Sequence, residues 1–138
     1  MKIFIQTIKF LSLLLIVLVF SSCGAKQYNP ELVYADQVIK SDTVWSGRIT
    51  VRGVVVVARS ATLTIKPGTV VLFEKIDSND DGIGDSEIRV LGRLLAKGTQ
   101  ADPILFQSAA ADPHRKDWSY ILFFTSGQVS VVEHCVIK

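Results

Sequence analysis

The chain is poor in most of the residues from which chemistry or crosslinking is built. Its 138 residues include two cysteines, Cys23 and Cys135, which excludes the disulfide scaffold that many small secreted domains use. There are two histidines. His114 sits in the charged run Asp112–Asp117 and reads as a solvated loop residue, and His134 reads as a wall residue of the last strand. No Gly-x-Ser-x-Gly elbow, no His-Glu-x-x-His pair and no phosphate-cradling loop occurs. Surplus charge is scarce as well. Lys+Arg number 15 against 13 Asp+Glu, and Lys2 and Lys9 both fall in an N-terminal leader. The remainder balances at 13 of each sign, leaving no basic footprint for nucleic acid. An uninterrupted apolar run of about 20 residues, the length a spanning helix needs, is also lacking. Phe10–Phe20 is shorter and is broken by Ser12.

That short run nevertheless has a recognisable setting. A charged start, an apolar centre and the small residues Ser21-Ser22 before Cys23-Gly24 make residues 1–22 a secretory leader. Ser21-Ser22-Cys23 resembles the lipobox of bacterial lipoproteins, with Phe20 standing where that family usually carries Leu or another aliphatic residue. The resemblance implies that Cys23 takes acyl chains, palmitate among them, and that the membrane is a partner through this anchor. At roughly 0.8 kcal/mol per buried CH2, several chains hold firmly. Gly24, in place of the Asp that retains many such proteins at the inner membrane, implies the outer membrane. Residues 23–41 then read as a tether, with Leu32, Val33, Val38 and Ile39 as a possible capping strand. Cys135, left without an intramolecular partner, reads as a buried structural residue among Val132, Val136 and Ile137.

From residue 42 onward the pattern becomes regular. Between Arg48 and Phe73, four β-branched or alternating bursts recur: Ile49 and Val51, Val55 and Val57, Leu63 and Ile65, Val70 and Leu72. Gly53, the Ala58–Ala61 corner and Pro67-Gly68 punctuate them. Period two with a corner every few residues predicts very short strands, suited to the faces of a solenoid. Pro67 presets φ and Gly68 accepts positive φ, as a type II turn requires. A second copy runs from Ile88 through Phe106, with Val51-Arg52-Gly53-Val54-Val55 set over Val90-Leu91-Gly92-Arg93-Leu94. A third begins at Trp118 and includes Ile121, Phe123, Val129, Val131 and Cys135–Ile137.

Leu63–Thr69, Val90–Thr99, Asp102–Phe106 and Trp118–Ile121 together resemble successive coils of right-handed parallel β-helix lipoproteins, secreted bacterial proteins often of unassigned function. The resemblance covers most of residues 42–138 and implies an all-β, right-handed parallel β-helix of about two to three coils. Ser119-Tyr120 departs from the paired glycines that often follow the tryptophan. Val131–Lys138 reads as a strand without a polar cap. Either further coils follow Lys138, which is the expectation, or a protein partner or second copy covers this open C-terminal coil.

Two segments look site-like. In Asp77–Glu87, Asp77, Asn79 and Asp81 alternate before Gly82, and Asp85 follows. These hard oxygens, with the Ile83 carbonyl, suit a weak Ca2+ loop, although Ile88 stands where a full EF-hand carries its bidentate Glu. Asp, Asn and Gly are equally the residues of an acidic corner turn. Trp45 and Trp118, with Tyr120, form a candidate sugar-stacking surface, and alternatively pack corners. The leading functional expectation is a non-catalytic, lipid-anchored envelope protein serving as scaffold or interaction module. The alternative is the N-terminal part of a carbohydrate-active β-helix protein, cleaving or binding polysaccharide.

Overall fold

A computed structural model describes residues 31–124 and 127–138. Eleven strands follow one another: β1 (Leu32–Ile39), β2 (Thr43–Trp45), β3 (Arg48–Val57), β4 (Thr62–Ile65), β5 (Val70–Phe73), β6 (Glu87–Val90), β7 (Arg93–Lys97), β8 (Ile104–Ser108), β9 (Ile121–Phe123), β10 (Val131–Glu133) and β11 (Cys135–Ile137). The described residues contain no helix. The residues around Cys23, and the leader before it, lie outside the described residues.

Among the described residues all strand pairings are parallel, and no strand pairs with its immediate neighbour in sequence. One curled sheet runs β10-β7-β4-β2. The other is organised on β3, whose two halves have different neighbours. Arg48–Val51 pairs with β5, which leads on to β8 and β11, whereas Val54–Val57 pairs with β6, which leads on to β9. β1 lies along both halves, with a register shift between Ala35 and Gln37. The described residues are therefore all-β with parallel strands, as expected, and no hairpin occurs among them.

Register explains the core. Ile49, Val71 and Phe106 follow one another in one ladder, Val55 and Ile88 in the next, Leu63 and Leu94 in the third. All of these side chains are fully buried in a single cluster. Burial alternates along β4, β8 and the second half of β3 because successive side chains point to opposite faces.

Backbone corners take up the residues that strands refuse. Gly53 divides β3 with φ +67, and a Cβ there would collide with the Asp36 carboxylate. Asp36 Oδ1 accepts from Val54 N at 2.9 Å, and Ser86 Oγ accepts from Gly53 N at 3.1 Å. Asp36, Gly53 and Ser86 thus stack as one polar corner through three successive layers. Lys66-Pro67-Gly68-Thr69 closes as a turn, with Thr69 N donating to the Lys66 carbonyl at 3.3 Å and Gly68 at φ +73, the geometry of type II.

Four details differ from expectation. Residues 32–39 form a paired strand where a tether was preferred, because β3 offers them a complete edge. The ladders run deeper than two to three coils, one of them through β1, β3, β5, β8 and β11. In β5 the core residues are Val71 and Phe73, one position away from Val70 and Leu72. Apolar residues fill both faces of this strand, so period two could not choose between them. Gly53 and Gly92 occupy different corners, since Val90 pairs with Val57 and not with Val51. Gly92 has its own reason to be small, as a Cβ there would overlap the carbonyl oxygens of Ala58 and Ala61.

The register has a direct test. Phe106→Ala removes a fully buried ring and should cost about 3–5 kcal/mol. Leu105→Ala, on the outer face one residue away, should cost clearly less. Urea denaturation followed by circular dichroism measures both, and equal losses would contradict the assigned register.

Candidate functional site

Two long corner loops, 74–86 between β5 and β6 and 109–120 between β8 and β9, occupy the same corner in successive layers. They are locked together by backbone. Gly84 N donates to the Lys116 carbonyl at 2.7 Å, Ser119 N to the Ser86 carbonyl at 3.0 Å, and Ser119 Oγ to the Gly84 carbonyl at 2.7 Å. Gly84 is required at this approach, because a Cβ would overlap the Asp117 carbonyl.

Asp117 is the hub of the pair and is 1% exposed. Its Oδ2 accepts from the His114 backbone N–H and from Ser108 Oγ, each at 2.8 Å, while Lys75 Nζ reaches Oδ1 at 3.1 Å. These donors, led by the His114 amide, overcome the desolvation that opposes ionisation and hold the carboxyl down at about 2. One buried carboxylate therefore ties β8, the outer loop and the inner loop together. Its partners come from three separate stretches of sequence, and nothing in the local pattern around residue 117 announces them. The adjacent His114 points outward, with Nδ1 at 2.9 Å from the Asp112 carbonyl.

In the acidic loop, the oxygens expected to hold Ca2+ serve the loop's own amides. Asp77 accepts from Asp81 N at 3.2 Å and Gly82 N at 2.9 Å, Asp81 from Ile83 N at 2.8 Å, and Asp85 from Ser78 N at 2.7 Å. Asn79 bridges both ways, accepting from Asp81 N and donating to the Asp81 carboxylate. Among the described residues, no group of three or more His, Cys, Asp or Glu side chains is placed to hold a metal ion. The arrangement is that of consecutive side-chain-capped turns, and it lends the Ca2+ expectation no support.

The two tryptophans separate. Trp45 is 0% exposed, tilted against Tyr34 with centroids 4.8 Å apart, so it offers no face to a sugar and the stacking expectation is corrected for it. Trp118 stacks flat on Phe73 at 4.1 Å and donates from Nε1 to the Lys138 carbonyl at 3.0 Å. Its remaining surface joins Ser119, Tyr120, Ile121, Phe123, Val132 and Ile137 around a cavity of about 420 Å³. Sugar recognition combines an aromatic platform with several placed polar groups. Here the lining side chains that carry hydroxyls are Ser119 and Tyr120, and the Trp118 indole N–H is engaged by the Lys138 carbonyl.

No protein-family model, curated protein or solved structure matches this chain. The functional reading rests on geometry and sequence alone.

The remaining candidates are structural in placement. His134 forms the corner between β10 and β11 at φ +48, and its carbonyl accepts from Ile104 N at 3.1 Å. That makes it a corner residue and not part of a strand wall. Cys135 is half-buried against the core beside Ala96, and burial raises its thiol, which disfavours a reactive thiolate. The cavity lining was legible in sequence only as alternation in the last strands.

The Asp117 hub predicts a pH dependence. A carboxyl depressed in the folded state contributes stability above its ordinary value of 3.8, and loses it as pH falls toward about 2. Because Lys75 reaches it from the solvent side, the discounted contribution is roughly 1 kcal/mol. Thermal melts between pH 5 and 2 should fall more steeply for the native chain than for Asp117→Asn. Parallel curves would remove the hub from the account.

Proposed function

We propose that this chain is a non-catalytic, lipid-anchored protein of the bacterial cell envelope, held at the outer membrane through Cys23. In this proposal its folded part is a right-handed parallel β-helix acting as a scaffold or interaction module. The observation that carries the reading is the pairing pattern: parallel ladders in which each strand lies on one from a later stretch of chain, around one apolar column. Such a pattern stacks windings along an axis and yields a long, stiff surface, which suits presentation and docking.

The placement of polar groups supports the same reading. Ser86, Ser108 and Asp117 are buried and engaged by neighbouring loops and backbone, and Thr69 closes the Pro67-Gly68 turn with its hydroxyl at 2.6 Å from the Lys66 carbonyl. Buried polar side chains with these partners hold corners in register. An envelope scaffold needs that rigidity where a lyase or hydrolase would need converging carboxylates or basic groups in an open cleft. The leader and Ser21-Ser22-Cys23 support the anchor, since a lipid-modified cysteine followed by a short polar spacer places a rigid module close to the membrane surface.

The anchor is the testable part. Bacterial cells expressing the full chain, fed an alkyne analogue of palmitate, should label it, and Cys23→Ala should abolish labelling and release the protein from the membrane fraction. Undiminished labelling of Cys23→Ala would defeat the proposal.

A further inference from the structure

We propose that the outer face of the β10-β7-β4-β2 sheet binds an anionic polysaccharide, an extended sugar chain with acid groups along its length, through Lys66, Lys97 and Arg93. Register builds the face. Thr62, Thr64 and then Lys66 stand on the outward side of β4 and its continuation, because Leu63 and Ile65 between them are buried. Arg93, Leu95 and Lys97 do the same on β7 around Leu94 and Ala96. Thr62 pairs with Arg93, Thr64 with Leu95 and Ile65 with Ala96, so Lys66 falls beside Lys97. Pro67 keeps Lys66 extended and so continues the pleat. Both lysines are exposed, on strands that lie about 4.8 Å apart.

These cations differ from those on the other sheet. There Arg48 has Glu31 at 3.9 Å, Arg52 has Glu74 at 2.6 Å, and Arg89 has Glu87 beside it. Among the described residues no acid lies within ion-pair distance of Lys66, Lys97 or Arg93. Asp42 accepts from the Thr62 amide at 2.8 Å, and Glu133 is the register partner of Lys97 without pairing with it. Like charges side by side on neighbouring strands cost stability. Lysine often guards a sheet edge, but β4 and β7 are the inner strands of this sheet, so that role does not account for the pair. An anion lying across both does. Arg93 flanks them, its Nε fixed on the Val129 carbonyl at 2.9 Å.

The surroundings favour a sugar chain. Thr62 and Thr64 supply hydroxyls and Leu95 an apolar patch among the charges, the mixture that sugar hydroxyls and ring faces require. The lysines repeat from strand to strand, along the stacking direction, at a spacing close to one sugar unit of an extended chain. An anionic bilayer is held by clusters of about four to eight basic residues, more than this face carries. The face lies on the side of the stack, so windings added at either end would lengthen it and not cover it. This rests on the interaction-module reading and deepens it by naming the chemistry of the partner.

Calorimetric titration of the full chain carrying Cys23→Ser with oligoalginate, which has one carboxylate per sugar, tests it. Oligoalginate should bind at low ionic strength and progressively more weakly as salt is added, and neutral maltohexaose should not bind. Lys66→Gln together with Lys97→Gln should weaken binding roughly tenfold or more. Arg115→Gln together with Lys116→Gln, which removes the same charge from exposed positions in the 109–120 loop, should leave it unchanged. Circular dichroism checks that each variant folds, and all four positions are at the surface. Phosphatidylglycerol vesicles, tested alongside, should not retain the chain. Absence of oligoalginate binding, equal losses from the two double variants, equally tight maltohexaose binding, or vesicle retention that depends on Lys66 and Lys97 would each overturn the proposal. No lipid is present on Cys23 in this experiment, so its outcome and that of the palmitate labelling are separate.

Discussion

Everything in this structure depends on parallel strands keeping register from layer to layer. A side chain on one strand must fall on an apolar partner on the next, because the buried residues of both sheets form one cluster. A slip by one residue would turn Val55, Ile88 and Ile121 outward together, since the side-chain period along a strand is two. The corners exist to prevent that slip. Asp36, Gly53 and Ser86 hydrogen-bond through successive layers, and Gly92 and Gly84 let backbone approach backbone where any side chain would intrude.

This division of labour explains how much could be read from the sequence. The alternation of Ile49 and Val51 with Arg48, Thr50 and Arg52 names the strand and its buried face in the first half of β3, whereas Val54–Val57 is apolar on both faces and its buried pair, Val55 and Val57, is set by the pairing with β6. The Lys66–Thr69 turn was legible for a similar reason: proline and glycine restrict φ regardless of surroundings. β5 was not legible in register, because Val70-Val71-Leu72-Phe73 has no polar side to give the pleat away. Nor was the equivalence of corners. Gly53 and Gly92 share an apolar-x-Gly-x-apolar context that any corner of this fold would select, so the resemblance between their surroundings reflects a common constraint and not a common position.

The candidate sites divide along the same line. The acidic loop was visible as a composition, but composition does not name the donors its carboxylates meet, which here include the loop's own amides. Trp45 and Trp118 are each followed by a serine, Ser46 and Ser119, yet one lies in the core and the other between Phe73 and the cavity. Asp117 gave no signal at all, because Lys75 and Ser108 reach it only after the chain has passed from one layer to the next. Long-range chemistry of that kind is the part of a stacked fold that short-range patterns do not carry.

The most direct measurement of the central claim is a crosslink across two layers. Thr64 on β4 and Leu95 on β7 are register partners in adjacent parallel strands. With Cys23 and Cys135 replaced by serine, Thr64→Cys paired with Leu95→Cys should close a disulfide under mild oxidation in the folded protein. Thr64→Cys paired with Leu94→Cys, whose side chain faces the core, should not. Equal crosslinking of both pairs, or of neither, would contradict the stacked parallel register on which the whole account is built.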